Sequence, residues 1–335
     1  MKIADREIGS NHRPYVVAEI SGNHCGVLEY ALELIKAAKE AGADACKTQC
    51  YTPDSITLNV KKPDFIVQDG LWKGRQLYEV YQKAHTPPSW HKQLYEEAHR
   101  IGITIFSSVF DHSAVDLLEK LGCPAYKIAS FEITDIPLIR YATQTGKPLI
   151  ISTGMASDRE VLEANEASEG KACFLHCTSE YPATIEAADM GRISRLEQLL
   201  GFKNPIGISD HTESVNIIPA MGVVMGVAVI EKHLKLVLEE KSEDDKFSLD
   251  PEQFADMTAA VRMAWEALKE RKNNGNPSRQ MRRSLYAVRE IKRGDLFTSD
   301  NIRSIRPGYG LEPKMLPKVI GQKAPKDYKV GDRLT

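Results

Sequence analysis

Eight short runs rich in Val, Ile, Ala and Phe recur along this chain, at residues 15–21, 45–50, 104–110, 125–130, 148–154, 173–179, 205–211 and 227–234. They are too continuously apolar for strands with one wet face, and helix-period segments separate them. Alternation of this kind is the mark of parallel strands buried under crossover helices, and eight repeats imply a closed (β/α)8 TIM barrel in the α/β class. The punctuation between runs agrees. Residues 28–41 carry apolar side chains at helical spacing and stop at Gly42, Ser157-Asp-Arg-Glu160 reads as a capping box, and Asp250-Pro251-Glu252 reads as an N-cap followed by proline. The last barrel helix is expected to reach about Lys272.

One connection is too long for this scheme. About fifty residues, 51–103, separate the second and third runs, where loops in α/β units usually take about 2 to 6 residues around a helix. A helix over 76–84 looks like an insertion, and long loops at the C-terminal face of a barrel carry specificity, so this segment is expected to act as a substrate lid. Trp72 and Tyr78 would at the least anchor it. Asn-Asn-Gly-Asn-Pro-Ser-Arg after Lys272 reads as a linker. The domains are therefore expected at 1–272 and 282–335, joined by 273–281. The smaller unit is rich in turns, with short β-like pieces at 284–288, 292–295 and 302–306. About fifty residues bury too little surface to be robust alone, so it should pack on a barrel, its own or a partner's.

The chemistry lies at the ends of the runs. The first ends in Glu19 and Ser21, the second carries Lys47 and Gln49, the third Ser107 and Ser108, and the fourth Lys127 and Ser130 with Glu132 beyond. The fifth offers Ser152 and Thr153, the sixth His176, Thr178 and Ser179, the seventh Ser209, Asp210 and His211, and the eighth Glu231 and His233. Polar groups in buried strands are costly without partners, and here they gather at the end that forms the active-site face of a β/α barrel. Lysine is seldom buried unless it meets an anion, forms a Schiff base or acts as a tuned base. Lys47 and Lys127, with hydroxyls from Ser108, Ser130, Ser152 and Ser209, suit a phosphate or carboxylate. No Walker loop or GxGxxG is present, which argues against a nucleotide. Two strand-end imidazoles, His211 and His233, could bind a divalent metal with open positions for substrate, or could be hydrogen-bonded structural groups.

Composition narrows the class further. A formal net charge of -2 argues against a nucleic-acid partner, and no apolar stretch is long enough to span a membrane. The start, Met1-Lys-Ile-Ala-Asp-Arg-Glu, lacks the apolar core of a signal peptide. Six cysteines, Cys25, Cys46, Cys50, Cys123, Cys173 and Cys177, form no CxxC pair and sit mostly in apolar runs, as reduced buried thiols would. The expected location is the cytoplasm.

Ala18-Glu-Ile-Ser-Gly-Asn-His24, Lys47-Thr-Gln49, Tyr126-Lys-Ile-Ala-Ser130, Ile151-Ser-Thr-Gly-Met155, Leu175-His-Cys-Thr-Ser-Glu-Tyr-Pro182, Gly207-Ile-Ser-Asp-His211 and Ile230-Glu-Lys-His233 together resemble the sialic acid synthase family. Asn301-Ile302 and Ile305-Arg-Pro-Gly-Tyr-Gly310 are similar to its C-terminal antifreeze-like (SAF) domain. The resemblance implies condensation of phosphoenolpyruvate with an open-chain N-acetylated aminosugar, giving a 2-keto acid and phosphate. It implies that His211 and His233 ligate a divalent metal, manganese first and magnesium or cobalt next. It also implies that Lys47, Ser108, Lys127, Ser130, Ser152 and Ser209 hold phosphoenolpyruvate, that Gln49 and Tyr181 line the sugar site, that Glu19 orients a water, and that Asp244 belongs to the acidic loop after the eighth strand. A domain-swapped homodimer follows from the same resemblance, with Arg306 reaching the sugar's acyl group in the other subunit.

Within the family, Ser179 and Ser107-Ser-Val-Phe110 depart from the neuraminate branch. Residues 52–59, Gly70-Leu-Trp72, Leu77-Tyr-Glu-Val-Tyr81, Thr86-Pro87, Trp90-His91 and Lys246-Phe-Ser-Leu-Asp250 look instead like the branch whose acceptor is the 6-deoxy sugar 2,4-diacetamido-2,4,6-trideoxy-L-altrose. The alternatives are neuraminate or legionaminate synthesis, a metal-dependent sugar isomerase or aldolase, and a non-catalytic sugar-binding protein. The last leaves Glu19, Lys47 and Lys127 without a role.

Overall fold

Among the described residues, the apolar runs become the eight parallel strands of a closed barrel: β1 (Tyr15–Glu19), β2 (Ala45–Cys50), β3 (Thr104–Val109), β4 (Tyr126–Ile128), β5 (Leu149–Ser152), β6 (Cys173–Cys177), β7 (Ile206–Asp210) and β8 (Val229–His233). Strands consecutive in the chain are neighbours throughout, and β8 closes on β1. The structure, a computed structural model, describes residues 1–239, 241–269 and 277–335. The outer ring is α1 (Leu28–Glu40), α2 (His91–Ile101), α3 (His112–Lys120), α4 (Ile136–Gln144), α5 (Asp158–Ala167), α6 (Gly191–Leu199), α7 (Ile217–Val224) and α8 (Pro251–Leu268).

Each helix turns one apolar stripe to the strands. In α1 the buried stripe is Ala31, Leu34, Ile35, Ala37 and Ala38; in α8 it is Phe254, Met257, Thr258 and Val261. Local chemistry sets the starts. Asp111 and Asp135 accept the amides of Ala114 and Leu138, at 2.8 and 3.0 Å. The expected capping box at Ser157 and Glu160 forms, and Asp250 caps α8 with Pro251 at its first position. Gly207 in β7 is held by closeness to its neighbours: a Cβ there would sit 2.6 Å from the Val229 carbonyl. Helix α8 ends at Leu268, and residues 270–272 of its expected extension lie outside the described residues.

The long connection resolves into two parts. Residues 91–101 are the ordinary crossover helix α2, so the insertion is shorter than the segment 51–103 and includes the helix Leu77–Ala84. At the opposite end of the barrel, Asp44 pairs with Arg6 and Arg13 and accepts the Val16 amide at 2.9 Å, which ties down the N-terminal hairpin of Lys2–Ile3 and Arg6–Glu7.

Contacts divide the chain into two compact units, Met1–Lys269 and Glu270–Thr335. Of the expected linker, 273–276 lie outside the described residues, and Pro277–Met281 forms a 3-10 helix. In the second unit β9 (Ser284–Ala287) pairs antiparallel with β10 (Ile302–Ile305) over a core of Leu285, Phe297, Ile302, Tyr328 and Leu334. Residues 292–295 are a turn rather than a β piece, because Asp295 accepts the Lys292 amide at 2.8 Å. Ser284 Oγ donates to the Pro307 carbonyl and accepts the Gly310 amide, fixing the turn after Arg306.

Candidate active site

Strand register assembles the polar residues. Glu19 lies beside Lys47 on one flank and His233 on the other, Ser108 beside both Gln49 and Lys127, and Ser209 beside both Cys177 and Glu231. Side chains alternate along a strand, so Lys47 and Gln49, Ser209 and His211, and Glu231 and His233 each share a face.

The centre is a buried cluster of two ammonium and two carboxylate groups. Lys47 pairs with Glu19, donates to Ser108 Oγ at 3.0 Å and lies 3.7 Å from Glu231 Oε1. Lys127 lies 3.6 Å from that same oxygen, which also accepts Ser209 Oγ at 3.0 Å. All four charged groups are nearly inaccessible. Burial pushes the Glu19 carboxyl up, and repulsion from Glu231 adds to this against the pull of Lys47. Burial also works against the charges on Lys47 and Glu231, but their partners outweigh it, raising the one pKa and lowering the other. Lys127 is lowered by burial. Glu231 is the bridging group, and its position two residues before His233 was the sequence signal for a role that the strand-end reading did not assign.

Beside the lysines lies a pocket of hydroxyls. Ser130 Oγ accepts the Gly154 amide at 3.1 Å and touches Cys177 Sγ at 3.0 Å. The hydroxyls of Ser152 and Ser179 are buried without a hydrogen-bond partner. A side chain at Gly154 would run into Ser179 Oγ and come within 2.9 Å of Ser130 Oγ, so glycine keeps this space open. Unspent donors next to two ammonium groups are what an anion's oxygens require.

The imidazoles of His211 and His233 are 5.5 Å apart between ring centroids. His211 Nδ1 donates to the Thr178 carbonyl at 2.9 Å, which leaves the lone pair on Nε2. His233 Nδ1 is buried with no hydrogen-bond partner. Burial lowers both pKa values, so both rings are neutral near pH 7. Ser209 Oγ lies 3.4 Å from His211 Nε2 but spends its one proton on Glu231 at 3.0 Å, so two neutral imidazoles with lone pairs to give fit a borderline divalent metal. Among the described residues no group of three or more His, Cys, Asp or Glu converges as a metal cage, so such an ion would take its other ligands from water or substrate.

Aromatic rings wall the histidines. Tyr181 lies 4.5 Å from His211 and 5.1 Å from Phe247, and Phe247 lies 4.9 Å from His233. Trp72, from the insertion, stands 5.9 Å from Tyr181, whereas Tyr78 bonds Asp54 at the surface. Gln49 donates to Ser21 Oγ at 2.9 Å, and buried Asp244 accepts the Gly22 amide at 3.4 Å, with burial raising its pKa. Arg306 is exposed on the second unit. His24 and His176 are structural: His24 bridges Thr86 and the Gly26 amide, and His176 bonds the Ala188 carbonyl. Lys232 is a third buried strand lysine, paired at 2.8 Å with Asp210 and facing away from Glu231.

Glu132, just beyond Ser130, has a buried Oε2 without a partner, and burial pushes its pKa up to about 7, with Lys127 opposing. A carboxyl whose folded pKa exceeds its unfolded value makes the fold lose stability as pH rises from about 4.5 through about 7. Glu132→Gln stays neutral throughout. Its melting temperature should therefore gain on that of the wild type by a few degrees across this window, and parallel melting curves at every pH would remove the charge from the argument.

A closed barrel with such a rim defines an enzyme for an anionic substrate. Residues 34–273 match the NeuB family and residues 282–335 the SAF domain. A pseudaminic acid synthase of Campylobacter jejuni is 44% identical over 333 residues, 97% of this chain and 96% of that protein. A pseudaminic acid synthase of Helicobacter pylori is 40% identical over 331 residues, 96% of each. A crystal structure of the N-acetylneuraminic acid (sialic acid) synthetase of Leptospira borgpetersenii, in complex with citrate, superposes with a TM-score of 0.73 at 27% identity, covering 84% of this chain and 93% of that one. The chain belongs to the NeuB family, as its motifs implied, and synthases of this family are metal-dependent.

Proposed function

We propose that this chain is a pseudaminic acid synthase, condensing phosphoenolpyruvate with 2,4-diacetamido-2,4,6-trideoxy-L-altrose to release phosphate. One observation carries the reading: the anion pocket of Lys47, Lys127 and the serine hydroxyls adjoins the His211 and His233 pair in a single barrel mouth. Identity of 44% over nearly the whole chain to a pseudaminic acid synthase supports the acceptor.

In this reading Lys47, Ser108, Lys127, Ser130, Ser152 and Ser209 bind the phosphate and carboxylate of phosphoenolpyruvate. Gln49, Tyr181 and Asp244 orient the sugar. A divalent ion held by His211 and His233, manganese in preference to magnesium or cobalt, would polarise the sugar aldehyde. C3 of phosphoenolpyruvate bonds to the aldehyde carbon, whose oxygen takes a proton, and positive character appears at C2. Glu19 orients the water that adds at C2, and one water proton is lost. The tetrahedral adduct then collapses to the 2-keto acid, breaking the C2–O bond to phosphate. Glu231 holds the two lysines at their spacing between turnovers.

The homodimer, with Arg306 reaching the other subunit's sugar, and a cytoplasmic location where phosphoenolpyruvate is made, belong to the same proposal. In the structure, no described helix is long and apolar enough to cross a membrane. The test is phosphate release with phosphoenolpyruvate and manganese, offering the altrose sugar and N-acetylmannosamine in parallel with a chelated control. Chelator-sensitive release with the altrose sugar alone is expected. Release with N-acetylmannosamine alone would move the chain to the neuraminate branch.

A further inference from the structure

Trp72 is the one described tryptophan whose indole nitrogen is buried without a hydrogen-bond partner. It sits at the tip of an arm built by the insertion. The Val67 amide donates to the Arg75 carbonyl at 2.9 Å, the Gly74 amide donates to the Val67 carbonyl at 2.8 Å, and Ile66 bridges Gln76. That arm is clasped to the loop after β8. Arg75 grips Glu243 through two bonds, at 2.5 and 3.0 Å, one residue before Asp244 and four before Phe247. The clasp places two loops of distant sequence on the same ring cluster: Trp72 at 5.9 Å from Tyr181, Tyr181 at 4.5 Å from His211, and Phe247 at 4.9 Å from His233.

We infer that Trp72 is a specificity-determining residue for the acceptor sugar, its ring packing on the deoxygenated end and its N–H donating to an acetamido carbonyl. Indole nitrogen can only donate, so its partner must be an acceptor, and an amide carbonyl is the strongest neutral acceptor the sugar carries. The face of the ring suits a methyl group where other aminosugars bear a hydroxyl. A buried donor that loses its partner discriminates more sharply than an apolar wall does, because a sugar without the carbonyl leaves the N–H unpaired. The Arg75–Glu243 clasp is the positioning device, acting through Trp72 and Phe247 without touching the reacting carbons.

This inference rests on the synthase reading above, and kinetics of the full chain can fail either one separately. Trp72→Phe keeps a ring and loses the N–H. It should raise KM for the preferred acceptor about tenfold, with KM for phosphoenolpyruvate and kcat within about twofold of the wild type. Trp72→Ala should raise the acceptor KM further. Arg75→Ala and Glu243→Ala should each raise it, and the double variant should be no worse than the worse single one. Calorimetric titration of the acceptor into each variant reads the same loss without turnover. An unchanged acceptor affinity in both Trp72 variants overturns the inference, and so does an equal rise in KM for phosphoenolpyruvate, which would mark general loosening. Should the wild type prefer another N-acyl sugar, the pseudaminate assignment falls, and Trp72 is then judged on that sugar.

Discussion

Replacing His211 or His233 with alanine should abolish metal-dependent phosphate release, a loss of about a thousandfold or more. The magnitude follows from the ligand count. Among the described residues the proposed site would offer an ion two imidazoles, so losing one would remove half of its protein ligands. Both rings are neutral, so truncation leaves no buried charge behind, but His211→Ala strands the Thr178 carbonyl and both changes remove a packed ring, so each variant is compared with its own apo form. Thermal shift supplies a readout besides turnover. Manganese at about a hundredfold over its Kd would stabilise the wild type by about 2.7 kcal/mol through mass action and leave the variants where they were. A variant that keeps both a manganese-induced shift and chelator-sensitive activity would show that the ion sits elsewhere, and the histidines would revert to structural groups.

The barrel was legible because its signal is local: each apolar run and each cap is a property of a few consecutive residues, as at Ser157 or Asp250. The polar strand ends were legible for the same reason. What the sequence hid was pairing. In the sequence Lys47 and Lys127 stand out as strand lysines and Lys232 does not, yet Lys232 is as deeply buried, faces the other side of the sheet and is spent on Asp210. Alternation along β8 separates it from Glu231 and His233 and could have been used. That Glu231 rather than an outside anion alone compensates Lys47 and Lys127 depends on strands far apart in sequence meeting across the barrel. The insertion and its helix were legible from the length of the connection, but not its clasp, because nothing near Arg75 announces Glu243.

The charge cluster gives the other large effect. Lys127→Met should lower kcat/KM for phosphoenolpyruvate about a thousandfold, because it removes a desolvated cation from the anion pocket and leaves Glu231 facing the substrate with less compensation. Folding should suffer as well. Glu231 keeps Ser209 at 3.0 Å and Lys47 at 3.7 Å but loses its other ammonium, and breaking a buried pair costs about 3–5 kcal/mol. These two losses have different origins, and a second substitution separates them. Adding Glu231→Gln to Lys127→Met removes one charge of each sign, so thermal stability should return most of the way while phosphoenolpyruvate binding stays lost. Under a purely structural role for the pair, the double variant would regain both. Recovery of kcat/KM alongside melting temperature would therefore take Lys127 out of the substrate site, while stability regained without activity fixes it there as the group that meets the anion.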